Sequence, residues 1–510
     1  MNTNLPTPRW YQKRGLDLTR KAFSDGHRRI LFFMATGGGK SVIFLHLAYN
    51  LLCNKKKVIL VMRRKQLVHQ AFKHFDKHGI KASVIMASDK RFDPSLDLQI
   101  CSIDTISRIS KTRDTTFLED FDAVIVDECH DTTSPKYREF FTRLKASIYL
   151  GLTATPFVVG KKVQDFWQCC VKPVEIQKLV DEGFLTDCII RVPHDIDLSG
   201  IKTTGGDYNQ KQLGEKMSEL EIIGDVVSDY KEFGNDKPAI CFGVNKKHSI
   251  KLCDEFNEQG IPAVHCDEST KQKDRDAALA DLASGKIKVL NNVNIFSTGV
   301  DCPEAEVLIL ARPTKSEILY IQQVGRGLRP HRICGKCSQH YDNSSECYHC
   351  GYDKPKYIKK FAIIIDNANN IYRHGHPFKT RYAALKEEDK KKKKEADERE
   401  FQIKSCKFCF AAYSANLKSC PECDGKNDKV QREIKRVDGT LIPYDEFSKI
   451  MSKYLEYEKV KLERGLKPNF PFFKLYEEFG DVVYQYKDLK MPKWVKTIVD
   501  KNREQGKVYK

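Results

Sequence analysis

The sequence predicts an α/β protein: two tandem, doubly wound parallel sheets, followed by small cysteine-rich modules and a short helical region. Three observations predict it. Short apolar runs alternating with helical patterns occur as two series, one from Ile30 to Thr155 and one from Ala239 to Asp366, and such alternation makes parallel βαβ units. A glycine-rich turn joins the first apolar run of the first series to its helix. Eight of the 18 cysteines fall in four Cys-x-x-Cys pairs, all beyond residue 330.

Size and charge bound the reading. A chain of 510 residues exceeds one core, so at least three domains are expected. The formal charge of +18 suggests a polyanionic partner, nucleic acid ahead of membrane. The N-terminus lacks a charged-then-apolar leader pattern and no apolar run reaches a membrane span. Cysteines in such a chain argue for metal in a reducing cytoplasm rather than a disulfide scaffold.

The first strand is read at Ile30–Met34 and runs into Ala35, Thr36, Gly37, Gly38, Gly39, Lys40 and Ser41. Glycines leave backbone N–H groups free to converge on a phosphate, and the helical pattern that resumes at Val42 adds positive partial charge there. Lys40 can then reach the β- and γ-phosphates and Ser41 can ligate Mg²⁺. Met34 stands where the usual phosphate-loop pattern begins with Gly. Upstream, Gln12 offers a donor and an acceptor, which suits an adenine edge or simply a helix surface.

A second strand, Val58–Met62, leads into Arg63, Arg64 and Lys65. Open α/β sheets bind ligands at this end of their strands, so the three cations suit a nucleic-acid backbone or a solvated helix start. Leu98–Ile103 is a third strand. Ala123–Val126 is a fourth and runs into Asp127, Glu128, Cys129 and His130. Adjacent carboxylates at a buried strand end fit a hydrated Mg²⁺, with Asp127 holding the metal through water and Glu128 orienting the attacking water. Ile148–Pro156 is a fifth strand whose Thr153-Ala154-Thr155 end can relay a change at the phosphate site.

Ala35–Ser41, Asp127–His130 and Thr153–Thr155, in this order and spacing, resemble motifs I, II and III of superfamily 2 helicases. The resemblance implies two RecA-like domains with ATP between them, Gln12 at the adenine, and Lys40, Ser41, Asp127 and Glu128 as nucleotide and Mg²⁺ residues. Cys129 departs from the commoner Asp-Glu-Ala-Asp and Asp-Glu-Ala-His boxes without changing a ligand.

Val174–Leu185 resembles the start of a second RecA-like domain, and 195–215 reads as a loop or small insertion. Ala239–Phe242 opens the second series, with later strands around Val264 and Val289, at Val307–Leu310 and at Phe361–Asp366. Ser297–Pro303 resembles motif V, in which Gly299 and Asp301 help close the nucleotide cleft. Gln322–Arg329 resembles motif VI. An arginine keeps its charge and forks onto phosphate oxygens, and a finger of this kind adds about 10³–10⁵ in rate in other systems. By resemblance Arg326 and Arg329 fill this role, with Arg329 the leading candidate.

Cys334, Cys337, Cys347 and Cys350 form one pair of knuckles and Cys406, Cys409, Cys420 and Cys423 another. Four thiolates with no open position suit structural Zn²⁺, in preference to an iron–sulfur cluster. The domains are therefore expected at 1–165 (RecA-like domain 1), 166–380 (RecA-like domain 2, with a zinc ribbon inserted at 332–352), 381–402 (charged linker), 403–426 (second zinc ribbon) and 427–510 (basic helical C-terminal domain). In that last region, aromatics among lysines, such as Phe470, Phe472 and Trp494, read as a helical core ahead of a base-stacking surface.

This layout resembles the RadD-like branch of bacterial and phage helicases. It implies an ATP-dependent helicase or translocase with no membrane partner, acting on DNA in preference to RNA in repair, recombination or replication. Single-strand-binding or repair proteins are the expected partners, and a monomer the expected state. The alternatives are the motor subunit of a restriction or nuclease complex, and an ATP-gated DNA clamp or annealing factor that does not unwind.

Overall fold

The computed structural model describes residues 5–63, 65–86, 89–112, 116–155, 166–194, 196–296, 302–337, 347, 350, 352–353, 355–378, 403–415 and 417–425, with Lys453 and Tyr457. Met1–Asp428 forms one unit and Lys429–Lys510 another. Arg64, the segment holding Gly299 and Asp301, the charged linker and the aromatic tail lie outside the described residues.

The first sheet comprises β1 (Arg29–Phe33), β2 (Val58–Met62), β3 (Ser83–Ile85), β4 (Leu98–Ser102), β5 (Ala123–Asp127), β6 (Ile148–Thr153) and β7 (Cys169–Val171). All its pairings are parallel, in the order β3-β4-β2-β5-β6-β1-β7. Parallel sheets carry crossover helices on both faces, so their strands are apolar on both. Accordingly Ile30, Phe32, Val58 and Leu60 enter one core, and Leu31, Phe33, Ile59 and Val61 the other. β7 pairs with β1, so the first sheet extends beyond the boundary expected at 165.

The second sheet contains β8 (Asp187–Arg191) at one edge. A small hairpin follows, β9 (Thr203–Thr204) and β10 (Asp207–Tyr208), and then the sheet continues with β11 (Ala239–Phe242), β12 (Ala263–Cys266), β13 (Val289–Asn292) and β14 (Val307–Leu310). β15 (Arg332–Cys334) and β16 (Pro355–Tyr357) pair antiparallel as the stem of the first cysteine module, and β17 (Phe361–Ile365) returns to the sheet. The order is β12-β13-β11-β14-β17-β8, all parallel. The stretch 195–215 is thus a hairpin and the helix Gln210–Lys216 rather than a plain loop. The second cysteine module folds on β18 (Ile403–Ser405) and β19 (Ala412–Ser414), an antiparallel pair.

The two lobes share one apolar cluster, which runs from Ile30 and Phe32 through Leu185 to Val324 and Leu328. Among the described residues no helix is long and apolar enough to cross a membrane.

Candidate active site

The phosphate loop begins where β1 ends. Met34 still pairs with the sheet, its N–H donating to the Thr153 carbonyl at 3.0 Å. Its thioether then lies under Gly38, where a Cβ would stand 2.7 Å from Met34 Sδ. The departure from Gly at 34 is therefore packed for, with Gly38 giving way. Gly39 caps the helix Lys40–Cys53 in the left-handed region, at φ 83°, a conformation Gly adopts without steric cost. The helix starts at Lys40, two residues before the apolar pattern expected at Val42, which places Lys40 and Ser41 in its first turn.

Gln12 lies buried against this loop. Its Oε1 accepts from the Arg9 N–H at 2.9 Å, and Nε2 faces the carbonyls of Gly38 and Gly39 at 3.3 and 3.4 Å. Tyr11 Oη donates to the Gly38 carbonyl at 3.2 Å. The helix Trp10–Ser24 thus grips the loop from outside.

At the end of β5, Lys40 Nζ lies 2.5 Å from Glu128 Oε1 and 3.9 Å from Asp127 Oδ1. Glu128 holds φ 51°, a left-handed backbone that costs of order 1–3 kcal/mol in a non-glycine residue and is found preferentially at functional sites. Burial would raise the Glu128 carboxyl, but Lys40 and His130 outweigh it and hold the group well below the usual carboxylate range. Burial raises Asp127, with Lys40 opposing. Burial would lower Lys40, but Glu128 and then Asp127 keep its ammonium above the ordinary lysine value. Asp127 Oδ1 has no hydrogen-bond donor among the described residues. A buried carboxylate oxygen beside the phosphate loop, with Lys40 at 3.9 Å but no hydrogen-bond donor, is what a hard cation such as Mg²⁺ fits.

His130 had no role in the sequence reading. Its buried Nδ1 lies 3.2 Å from Glu128 Oε2, 3.1 Å from Thr153 Oγ1 and 3.3 Å from Thr155 Oγ1. A carboxylate only accepts, so the Nδ1–H tautomer serves it. The imidazole joins the acidic pair to the threonines at the end of β6. Its signal in the sequence was its place directly after the carboxylates, with the threonines one strand on.

From the second lobe, the helix Glu317–Gly327 ends on the phosphate loop. A Cβ at Gly325 would meet the Thr36 side chain at 2.5 Å, and one at Gly37 would stand 3.6 Å from Arg329 Cγ. Arg326, in the last turn of this helix, is buried. The structure thus brings Gln12, Thr36–Ser41, Asp127, Glu128 and the arginine helix to one junction.

The cysteines cluster as paired. In the first module Cys334 Sγ lies 3.5 Å from Cys350 Sγ and Cys337 Sγ 3.6 Å from Cys347 Sγ. In the second the distances are 3.5 Å for Cys406–Cys423 and 3.7 Å for Cys409–Cys420. A tetrahedral ion with Zn–S bonds of about 2.3 Å needs sulfurs about 3.8 Å apart, whereas a disulfide needs about 2.05 Å. Each set of four sulfurs fits a tetrahedral metal.

A phosphate loop and a strand-end acidic pair on one RecA-like lobe, met by an arginine helix from the next, define a nucleotide-driven two-lobed motor. Comparison narrows the class. Residues 5–158 match the family described as type III restriction enzyme, res subunit, and 219–331 match the helicase conserved C-terminal domain. The chain is 28% identical over 405 residues to a 51.5 kDa protein of a Lactococcus phage, covering 78% of this chain and 79% of that one. It is 30% identical over 352 residues to the IRC3 protein of Saccharomyces cerevisiae, covering 65% of this chain and 51% of the yeast protein, so it spans about half that relative's length. A fragment of the HsdR subunit of a type I restriction enzyme from Vibrio vulnificus shares the fold, with TM-score 0.52 and 19% identity over 72% of this chain and 66% of that one. The two lobes are thus each similar to a domain of helicase-type motor proteins, the first over residues 5–158 and the second over 219–331.

Proposed function

We propose that the protein is an ATP-driven helicase or translocase acting on DNA. The observation that carries this is the junction itself: Lys40 on Glu128, with the end of the arginine helix against Thr36 and Gly37. Lys40 and the loop N–H groups bind the β- and γ-phosphates, and Gln12 holds the loop while its remaining hydrogen-bonding capacity serves the adenine. Glu128 leaves Lys40 for the attacking water as the γ-phosphate takes over the ammonium. Arg329, with Arg326, stabilises the charge of the phosphoryl group in transfer. Ser41 and Asp127 would hold Mg²⁺, which supplies charge neutralisation on the phosphates. Gly299 and Asp301 complete the cleft in this reading. Closure and opening of the lobes with nucleotide state move the strand.

The nucleic-acid path is assigned to the C-terminal ends of the strands. Arg63, Lys65, Arg108 and Lys136 line an open groove of about 530 Å³ beyond β2 and β4, and cations there suit a phosphate backbone. The restriction-enzyme character of the first family and of the Vibrio fragment supports DNA. Structural Zn²⁺ in both cysteine modules, and the RadD-like placement of those modules after the arginine motif, belong to the same proposal.

The test is Glu128→Gln. It should keep the fold and ATP binding while lowering DNA-stimulated turnover at least about 100-fold. A well-folded variant that turns over like wild type removes this active site. A second reading, the motor subunit of a restriction or nuclease complex, is favoured by the first family match. Fragmentation of labelled duplex, in place of strand separation or movement, would select it.

A further inference from the structure

Lys359 is 1% exposed, and its ammonium donates to the backbone carbonyls of Pro303 and Ala305, each at 2.9 Å. Lysine is among the residues least often buried, and taking its charge out of water costs several kcal/mol unless hydrogen bonds compensate. Two carbonyls compensate in part. Burial, with the nearby Arg329 charge acting in the same direction, still brings the group down to about 8. A leucine or methionine would fill the space without that cost, so the charged head needs another reason.

The geometry supplies one. The Lys359 side chain holds Pro303 and Ala305, two and four residues after Asp301 in the sequence. Its main chain holds the other side: the N–H groups of Ile358 and Lys359 donate to the His331 carbonyl at 2.9 and 3.3 Å. His331 is two residues beyond Arg329. On the opposite side the same exit segment is fixed by the Thr186 N–H, which donates to the Leu328 carbonyl at 2.8 Å, and by Arg332 Nη2, which donates to the Gly183 carbonyl. The chain leaving the arginine helix is thus clamped between 183–186 and 358–359.

We infer that Lys359 is a positioning residue for ATP hydrolysis, tying Cys302–Ala305 to the exit of the arginine helix and so fixing where Arg329 is presented to the phosphate loop. The inference rests on the proposed role of Arg329, and the controls separate the two. Misplacing a reacting group by about 1 Å can cost about 100-fold, so a lost clamp belongs in kcat rather than in ATP binding.

The experiment is steady-state ATPase with single-stranded DNA on the full chain, comparing Lys359→Met, Lys359→Gln and Arg329→Ala, with thermal melting of each. Lys359→Met should lower kcat at least about tenfold with the KM for ATP changed less than about twofold. Lys359→Gln, whose amide can still donate to a carbonyl, should lose less, and it carries the test if the Met variant does not fold. Adding Lys359→Met to Arg329→Ala should cost little further, because the two act as one unit. Unchanged kcat in a folded variant overturns the inference, as does a loss no larger than the loss of folded protein, or an additive double mutant. If Arg329→Ala alone leaves turnover intact, the arginine reading fails; a slow Lys359→Met protein would then act without Arg329, which overturns the inference as well.

Discussion

Removing the His130 imidazole tests whether the acidic pair is coupled to the end of β6. In the structure His130 Nδ1 contacts Glu128 Oε2 at 3.2 Å and the Thr153 and Thr155 hydroxyls at 3.1 and 3.3 Å. A hydrogen bond to a charged group contributes about 1.5–3 kcal/mol. Glu128 keeps Lys40 as a partner, so His130→Ala should leave nucleotide binding close to wild type. What it loses is the orientation of the carboxylate. If that bond is made in the transition state, about 1.5–3 kcal/mol corresponds to a fall in kcat of about 10- to 150-fold. The threonines lose their link to Glu128 at the same time, so stimulation by DNA should fall further than basal turnover. The control is His130→Asn, whose side-chain NH₂ can stand near the Nδ1 position and restore a donor. The assay is ATP turnover with and without single-stranded DNA, alongside thermal melting. DNA-stimulated turnover in His130→Ala within about twofold of wild type, or an Asn variant as impaired as Ala, would refute the coupling.

Two further outcomes follow from the same geometry. Replacing Cys406 and Cys423 with serine should remove one metal per chain by elemental analysis. It should also speed hydrogen exchange at Arg191 and Val192, where the second module covers the edge of β8, while the β11 amides stay protected; unchanged exchange at β8 would show that the module does not support that edge. Asp366 is buried with its carboxylate accepting the Ala368 and Ile371 N–H groups, and burial raises it to about 6. Its folded value lies above the unfolded one of about 3.9, so the folded state binds more protons between about pH 4 and 6, and stability from this group is lost as pH rises through that window, by at most about 3 kcal/mol. Asp366→Asn should flatten the melting temperature between pH 4 and 6 relative to wild type, and an identical pH slope in the variant would contradict the assignment.

The central strands were legible because burial on both faces writes them as unbroken apolar runs. Val58–Met62 and Val307–Leu310 are fully buried. Of the four edge strands, only β12, read around Val264, was legible. Ser83–Ile85 and Cys169–Val171 are three residues each, and Asp187–Arg191 is half exposed and carries a charge at each end. Nor could the hairpin at Thr203–Tyr208 be read locally. It is held by Asp207 accepting from Thr314 Oγ1 at 2.8 Å and from the Lys315 N–H at 2.7 Å, more than 100 residues away. In the site, Lys40, Asp127 and Glu128 could be found because their chemistry fixes both residue type and place on a strand–turn–helix unit. The grip of Gln12 on the loop and the three contacts of His130 depend on side-chain direction, which a single sequence does not carry.

The two cysteine modules have the same four thiolates but different mechanical positions. The second is attached sideways: the Val192 N–H donates to the Phe410 carbonyl, Arg191 Nη1 donates to the Cys409 carbonyl, and Phe410 meets Phe233 edge-on at 6.1 Å. An exposed parallel edge strand invites unwanted pairing, and β8 is covered here by a module whose own strands form no part of the sheet. The first module is instead in line with the arginine helix. Its stem, β15 and β16, leaves the lobe between His331 and Ile358, the two residues joined at 2.9 Å beside Lys359. A load on this module therefore reaches the Arg329 segment through three residues of chain, whereas a load on the second reaches only the sheet edge. If DNA bears on either module, the first is the one placed to transmit that contact to ATP hydrolysis.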